Sequence, residues 1–250
     1  MLLQRRTPAA GSLLLLLLPF LLLPFLFLSC SGKLAKQPGL AAPDLLALGE
    51  RHLAAKKYDK AVEAFQLFLE RFPTSPLAPR AQLGLADARM NDKENIEAEV
   101  AFDDFLRLYP ADDNVHYALY RKGELLARQA PDPGRDQTKS QEAIKAYALS
   151  REKNPKGPYA EISAVKIAAL RNRLAEHEKR VIVHYLGRKL YVSAEARARR
   201  ALSEYPETAA VPTFLSSLAE ALQKQGKGEE AAEIRKSLAE KFPASKGKKP

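Results

Sequence analysis

The sequence feature that most constrains the fold is an alanine followed twelve residues later by a proline, which recurs along the chain in five copies spaced 37 to 51 residues apart. A small alanine lets two helices cross closely, and a proline ends a helix because it has no backbone N–H to donate. The five pairs are Ala61/Pro73, Ala98/Pro110, Ala143/Pro155, Ala194/Pro206 and Ala231/Pro243. The spacing predicts five pairs of antiparallel helices, in which the second helix carries the alanine and ends before the proline.

The steps from one alanine to the next are 37, 45, 51 and 37 residues. A period of roughly 34 residues is typical of the tetratricopeptide repeat, a helix–turn–helix unit. The first copy resembles that repeat at Leu45, Leu48, Gly49, Tyr58, Ala61, Phe65 and Pro73. The predicted fold class is therefore all-α, an α-α superhelix (solenoid) of five tetratricopeptide-like helix pairs.

The two longer steps predict where the repeats are interrupted. The 45-residue step holds extra residues at 130–137, whose prolines and glycine indicate a loop. The 51-residue step holds an insertion of about four helical turns, which lengthens a helix without rotating its face. Residues 159–189 contain no proline and a single glycine, so one long helix or two abutting helices are expected there.

The chain begins with a basic segment and a short apolar run. Arg5 and Arg6 precede the run from Leu13 to Leu28, which two prolines interrupt. A helix of that length reaches roughly 24 Å, which is less than the roughly 30 Å hydrocarbon core of a bilayer. The pattern is typical of a cleaved secretory signal peptide over residues 1–29, and a retained membrane anchor is the alternative.

Cys30 is the only cysteine of the chain and follows the apolar run directly. The string Phe27-Leu28-Ser29-Cys30 resembles a bacterial lipobox, although leucine is usual at Phe27 and a smaller residue at Leu28. The resemblance implies an N-acyl and an S-diacylglycerol lipid on Cys30, and Ser31 implies the outer membrane. An ordinary signal peptide with an incidental cysteine is the alternative.

The rest of the chain divides into four predicted segments. Residues 30–42 are polar and contain glycine and proline, which favours a flexible tether. Repeats 1–3 are expected over residues 43–156 and repeats 4–5 over residues 157–245. Residues 246–250 are expected to form a basic, disordered tail.

The chain shows no catalytic constellation. Its four histidines lack the i, i+4 spacing and the neighbouring cysteines that a zinc site needs. No phosphate-binding loop, nucleophile elbow or Cys–His arrangement is present. The net charge of +10 favours an anionic membrane surface, since the export signal argues against nucleic acid. We therefore expect a non-enzyme with no metal, and with no cofactor besides the lipid on Cys30.

Arrays of helix pairs bind polypeptides on a concave face, which the first helix of each pair lines. Aligning the repeats on their alanines predicts this groove to be lined by Glu50, Leu53, Leu83, Asp87, Met90, Tyr117, Tyr120 and Glu124. Apolar, aromatic and acidic groups together suit an extended peptide with apolar anchors. Leu53, Leu83 and Tyr120 could each belong instead to the core between repeats, because every repeat buries a face on its neighbour.

Two strings make a family resemblance specific. The inserted loop contains Arg135-Asp136-Gln137-Thr138, and the long helix contains Leu174-Ala175-Glu176-His177-Glu178. With the lipobox and the five repeats, they resemble the BamD family, lipoproteins of the outer-membrane β-barrel assembly complex. The resemblance implies a protein anchored at the periplasmic face of the outer membrane.

The resemblance also implies binding partners. The C-terminal half would bind the periplasmic domains of the barrel-forming subunit, beside other lipoproteins of the complex, and the N-terminal repeats would bind unfolded β-barrel proteins. Arg197, Arg199 and Arg200 form the candidate partner interface, with Arg197 facing an acidic group of that subunit. A solvated helix face is the alternative for the arginines. For the protein, the alternative is a different tetratricopeptide adaptor lipoprotein of the cell envelope.

Overall fold

The computed structural model describes residues 39–243, where ten α-helices follow one another without a β-strand. Consecutive helices pair, which confirms the prediction of an all-α solenoid of five helix pairs. The signal peptide, Cys30, most of the tether and the basic tail lie outside the described residues. None of the helices within residues 39–243 combines the length and the hydrophobicity that a membrane span requires. The helices are α1 (Ala42–Ala54), α2 (Tyr58–Arg71), α3 (Ala78–Asn91), α4 (Asn95–Leu108), α5 (Val115–Gln129), α6 (Thr138–Lys153), α7 (Ala160–Gly187), α8 (Tyr191–Glu204), α9 (Val211–Lys224) and α10 (Gly228–Lys241).

The alanine–proline spacing predicts the helix crossings and helix ends correctly. Each predicted alanine lies on the second helix of its pair, and all five are completely buried. The residue before each proline is the C-cap of that helix. In the first pair, for example, the backbone N–H of Phe72 donates to the carbonyl of Phe68 at 2.8 Å. The same position is held by Tyr109, Asn154, Tyr205 and Phe242 in the other pairs.

Glycines make room for the aromatic side chains of the second helices. The ring of Phe65 is completely buried and lies against Gly49 of α1 and Gly84 of α3. A Cβ on Gly49 would come within 2.6 Å of that ring, and a Cβ on Gly84 would come closer still. Gly123 of α5 has the same relation to Tyr147 of α6. The rings therefore occupy space that any side chain on the facing helix would fill.

The turns within four of the five helix pairs share one geometry. In each turn a backbone N–H donates to the carbonyl five residues earlier, as from Leu190 to Tyr185 at 2.9 Å. The residue before that donor has positive φ, namely Lys56 (57°), Lys93 (68°), Lys189 (60°) and Gly226 (81°). This is the Schellman closure of a helix, in which glycine is usual at the positive-φ position. Three lysines therefore hold a conformation that side chains disfavour.

The third pair and the helix after it depart from this regular pattern. Residues 130–137 form the predicted loop between α5 and α6, and α7 is a single helix of 28 residues rather than two abutting helices. Leu170 of α7 packs with Leu126 and Tyr147 of the third pair. Leu174 and Ile182, further along α7, pack into the core of α8, α9 and α10. One helix therefore belongs to two hydrophobic cores.

Candidate functional site

The eight predicted groove residues differ in how exposed they are and in which residues they contact. Glu50 and Leu53 are partly exposed on α1, where Glu50 accepts a hydrogen bond from Arg80 at 2.9 Å. Leu83 and Met90 have only 8% and 1% of their surface exposed and belong to the core of α3, α4 and α5. The prediction that these two line the groove is wrong, because both side chains lie in that core. The remaining four lie close together.

Asp87, Tyr117, Tyr120 and Glu124 surround Arg121. The Asp87 carboxylate accepts hydrogen bonds from the Tyr117 hydroxyl at 2.5 Å and from Arg121 Nε at 2.7 Å. Arg121 Nη1 donates to Glu124 at 2.8 Å. Burial, with the adjacent Asp87 carboxylate, raises the pKa of Tyr117 well above its ordinary value, so its hydroxyl stays a donor. Arg121 was not predicted from the sequence, although it lies one helical turn from both Tyr117 and Glu124.

Tyr159, which precedes α7, joins these residues from the next repeat. Its ring stacks on that of Tyr120 with 4.6 Å between centroids and 23° between planes. It also lies 5.5 Å from the ring of Tyr117. These rings offer flat apolar surfaces beside two carboxylates that share one guanidinium, which suits a peptide with aromatic or aliphatic side chains. We name the group the aromatic–acidic cluster; it consists of Asp87, Tyr117, Tyr120, Arg121, Glu124 and Tyr159.

A second polar site lies where the inserted loop, α7 and α8 meet. It is a cleft of about 300 Å³, and residues from both of the strings on which the family resemblance rests line it. Residues far apart in the sequence are therefore neighbours in the fold. We name this site the loop–helix cleft; its polar lining includes Asp136, Gln137, Thr138, His177, Glu178 and Arg197.

Side chains of α7 hold the loop in position. His177 Nδ1 lies 2.6 Å from the carbonyl oxygen of Pro133, and Arg180 donates to the Asp132 carboxylate at 3.0 Å. Gln137 is buried, and its amide donates to two carbonyls of the loop, both at 3.0 Å. The loop is therefore ordered by its own hydrogen bonds and by the long helix.

The three predicted interface arginines on α8 are all ion-paired. Arg197 forms a forked pair with Glu178, with its Nε at 2.6 Å and its Nη2 at 3.1 Å from the carboxylate oxygens. The remaining pairs are Arg199 with Glu195 and Glu230, and Arg200 with Glu204. Neighbouring glutamates therefore balance the positive charge of these arginines. Their role in partner binding stays a prediction. Among residues 39–243, no three potential ligands from His, Cys, Asp and Glu converge as in a metal site.

The helix pairs cross at buried alanines, their turns have the Schellman geometry, and one face of the array is polar and aromatic. These features define a helical-repeat protein of the tetratricopeptide type. The sequence profile of a family described as YfiO, outer membrane lipoprotein, matches residues 40–238. The chain therefore belongs to this family of outer membrane lipoproteins, and the predicted resemblance to BamD is confirmed.

Several proteins are similar to the chain. Outer membrane protein assembly factor BamD of Neisseria meningitidis serogroup A is 32% identical, over 80% of this chain and 79% of the relative. BamD of Pasteurella multocida is 26% identical over 83% of this chain and 84% of its own. A thermophilic tetratricopeptide protein of Thermus thermophilus is 22% identical, with a TM-score of 0.40, over 81% of this chain and 92% of that chain.

Proposed function

We propose that this protein is a non-catalytic scaffold of the machinery that assembles β-barrel proteins in the outer membrane. The relatives named outer membrane protein assembly factor support this role. The observation that carries the proposal is the loop–helix cleft, which residues from both strings that resemble the BamD family line together. An ordered polar cleft without a catalytic constellation suits recognition of another protein.

The C-terminal half binds the periplasmic domains of the barrel-forming subunit, beside other lipoproteins of the complex. The forked pair of Glu178 and Arg197 lies on the wall of the cleft and presents both a carboxylate and a guanidinium. Because the pair is only partly buried, an acidic group of the partner can share the guanidinium with Glu178. Arg197 is therefore the central residue of the proposed interface.

The N-terminal repeats bind unfolded outer-membrane proteins through the aromatic–acidic cluster. Tyr120 and Tyr159 provide a stacked pair of rings for apolar side chains of an extended segment. Asp87 and Glu124 accept hydrogen bonds, and Arg121 fixes both carboxylates in place. The cluster lies on two consecutive first helices and on the start of a third, which suits a segment that crosses several repeats.

The protein is anchored at the periplasmic face of the outer membrane by an N-acyl and an S-diacylglycerol lipid on Cys30. Several acyl chains give a far more durable attachment than one. We expect Cys30→Ala to release the protein from the membrane into the soluble periplasm. A variant that stays membrane-bound and still incorporates labelled palmitate would contradict the lipid attachment.

Affinity capture of the intact, acylated protein from mild detergent tests the proposed partners. We expect the barrel-forming subunit to be captured with it, and Arg197→Ala to reduce the captured amount about tenfold or more, as for a charged hot spot. Arg107→Ala is the matched control, since Arg107 forms an exposed ion pair with Asp104 on α4, away from the cleft. Reproducible absence of the subunit would favour a different envelope adaptor.

Binding of a labelled, unfolded β-barrel segment tests the substrate site by fluorescence anisotropy. Tyr159→Ala removes a stacked ring of the cluster, and we expect the dissociation constant to rise about 5- to 30-fold. Tyr58→Ala is the control, because Tyr58 is also a partly buried tyrosine at the start of a helix but lies outside the cluster. Equal losses in both variants would refute a specific role for the cluster.

A further inference from the structure

The turn between α7 and α8 differs from the other Schellman turns in the side chains it exposes. Leu190 and Val192 are 48% and 71% exposed, and Val183 on the preceding turn of α7 is 38% exposed. These are three of the eight large apolar side chains that are exposed in residues 39–243. Three such residues within ten positions form a local concentration of apolar surface at the tip of one helix pair.

The same turn carries positive charge without any acidic residue. Arg188 and Lys189 are exposed, and neither forms an ion pair with another described residue. No Asp or Glu occurs between Glu178 and Glu195, so the turn has no neighbouring acid in the sequence. We name Val183, Arg188, Lys189, Leu190 and Val192 the α7–α8 patch.

The equivalent turns of other repeats lack this combination. Lys56 and Lys57 provide the same two charges in the α1–α2 turn, but an aspartate, Asp59, takes the position that Val192 holds after α7. In the α3–α4 turn, Lys93 lies between two acidic residues. The exposed apolar side chains of the α7–α8 patch are therefore specific to this turn, and the repeat pattern does not require them.

We propose that the α7–α8 patch contacts an anionic lipid surface, with Leu190 and Val192 in the headgroup region and Arg188 and Lys189 beside lipid phosphates. Exposed apolar side chains flanked by cations are the chemistry with which a peripheral protein binds a charged interface. The charge complementarity favours this occupant over an apolar protein face, which would leave both cations desolvated without partners. The contact adds to any lipid anchor, and it does not depend on the proposed assembly partners.

Vesicle binding of the chain without its lipid tests the contact. Residues 31–250 can be used because all ten helices belong to one compact unit, Ala42–Pro250, with its own cores. The protein is titrated with vesicles of equal parts phosphatidylglycerol and phosphatidylcholine, and with phosphatidylcholine vesicles alone. We expect binding only to the anionic vesicles, and a decrease in binding with added salt.

Two double variants separate the charge from the apolar contribution. Each cation near an anionic surface contributes about fivefold to binding, so Arg188→Gln with Lys189→Gln should weaken it roughly 25-fold. Leu190→Ser with Val192→Ser should weaken it several-fold without changing the salt dependence. Lys56→Gln with Lys57→Gln, which removes the same charge from the equivalent turn, is the matched control and should bind as the parent does.

Three outcomes would overturn the proposal. The first is equal binding to phosphatidylcholine vesicles alone, and the second is an equal loss in the Lys56/Lys57 control, which would indicate net charge rather than a patch. The third is absence of vesicle binding while the Arg188/Lys189 variant loses capture of the barrel-forming subunit, which would assign the patch to a protein partner. Unchanged circular dichroism in all variants excludes misfolding as the cause.

Discussion

Gly49→Ala tests how the first two repeats pack, because the new methyl group has a defined obstacle. Its Cβ would lie 2.6 to 2.9 Å from three carbons of the Phe65 ring. The ring is completely buried and already lies against Gly84 of α3, so it cannot retreat freely. Overpacking of this kind costs about 1–3 kcal/mol, whereas alanine in a helix is about 1 kcal/mol better than glycine. We expect a net loss of up to about 2 kcal/mol.

Gly187→Ala is the matched control for this substitution. Gly187 is the last residue of α7, and nothing lies within 4 Å of its added Cβ. That variant should be unchanged or stabilised by up to about 1 kcal/mol. The helix propensity is shared by both variants, so the difference between them, about 1–3 kcal/mol, reports the contact with Phe65.

Thermal and urea unfolding of residues 31–250, followed by circular dichroism, measures the difference. A gap of 1–3 kcal/mol corresponds to roughly 2–12 °C in Tm for a chain of this size. Phe65→Leu shortens the obstructing side chain, so the double variant with Gly49→Ala should be more stable than the sum of the single effects. Equal stability of the two glycine variants, or strict additivity in the double-mutant cycle, would refute the packing argument.

Three further outcomes follow from the packing and charges. Ala98→Leu should lower the free energy of unfolding by about 1–3 kcal/mol, because Ala98 is completely buried at a helix crossing, and an unchanged urea midpoint would contradict the register. Arg121→Met should cost about 2–3 kcal/mol, because it leaves two partly buried carboxylates unpaired, whereas Arg107→Met should cost less than about 1 kcal/mol in the same assay. The hydrogen bond from the Gly134 N–H, together with the positive charge of Arg180, lowers the pKa of Asp132. This carboxylate therefore stabilises the folded loop above its unfolded pKa, and the stabilisation is lost as the pH falls through the lowered value. The Gly134 amide should therefore lose its hydrogen-exchange protection only when the pH falls below the ordinary pKa range of an aspartate, while helical amides keep theirs, and uniform loss would indicate global unfolding instead.

Local rules predict the backbone of this protein well. The crossing alanines and the helix ends follow from residue size and from the missing N–H of proline, which act within one helix pair. The extra residues at 130–137 and the length of α7 follow from the same periodicity. Each of these inferences needs only residues that are near in sequence.

The candidate sites depend on contacts between repeats, and sequence alone predicts them less well. Leu83 and Met90 have groove positions in the alignment, yet both are buried in the core that α3 forms with α4 and α5. Arg121 pairs with Asp87 across 34 residues, and Tyr159 reaches Tyr120 from the next repeat. Their roles depend on how one repeat rotates against another, and the spacing within a repeat does not determine that rotation.

The single helix α7 has a consequence for how the array unfolds. In a solenoid whose repeats meet only at interfaces, the array can open at any interface, and each end can fray by itself. Here the third and fourth helix pairs share the continuous helix α7, which is about 42 Å long. Its side chains belong to the hydrophobic cores on both sides. Separating the third pair from the fourth would therefore require either a break in this helix or the exposure of its side chains from one of the two cores. Under mechanical load, residues 115–204, which hold α5 to α8, should yield as one cooperative block, with the terminal pairs α1–α2 and α9–α10 detaching first.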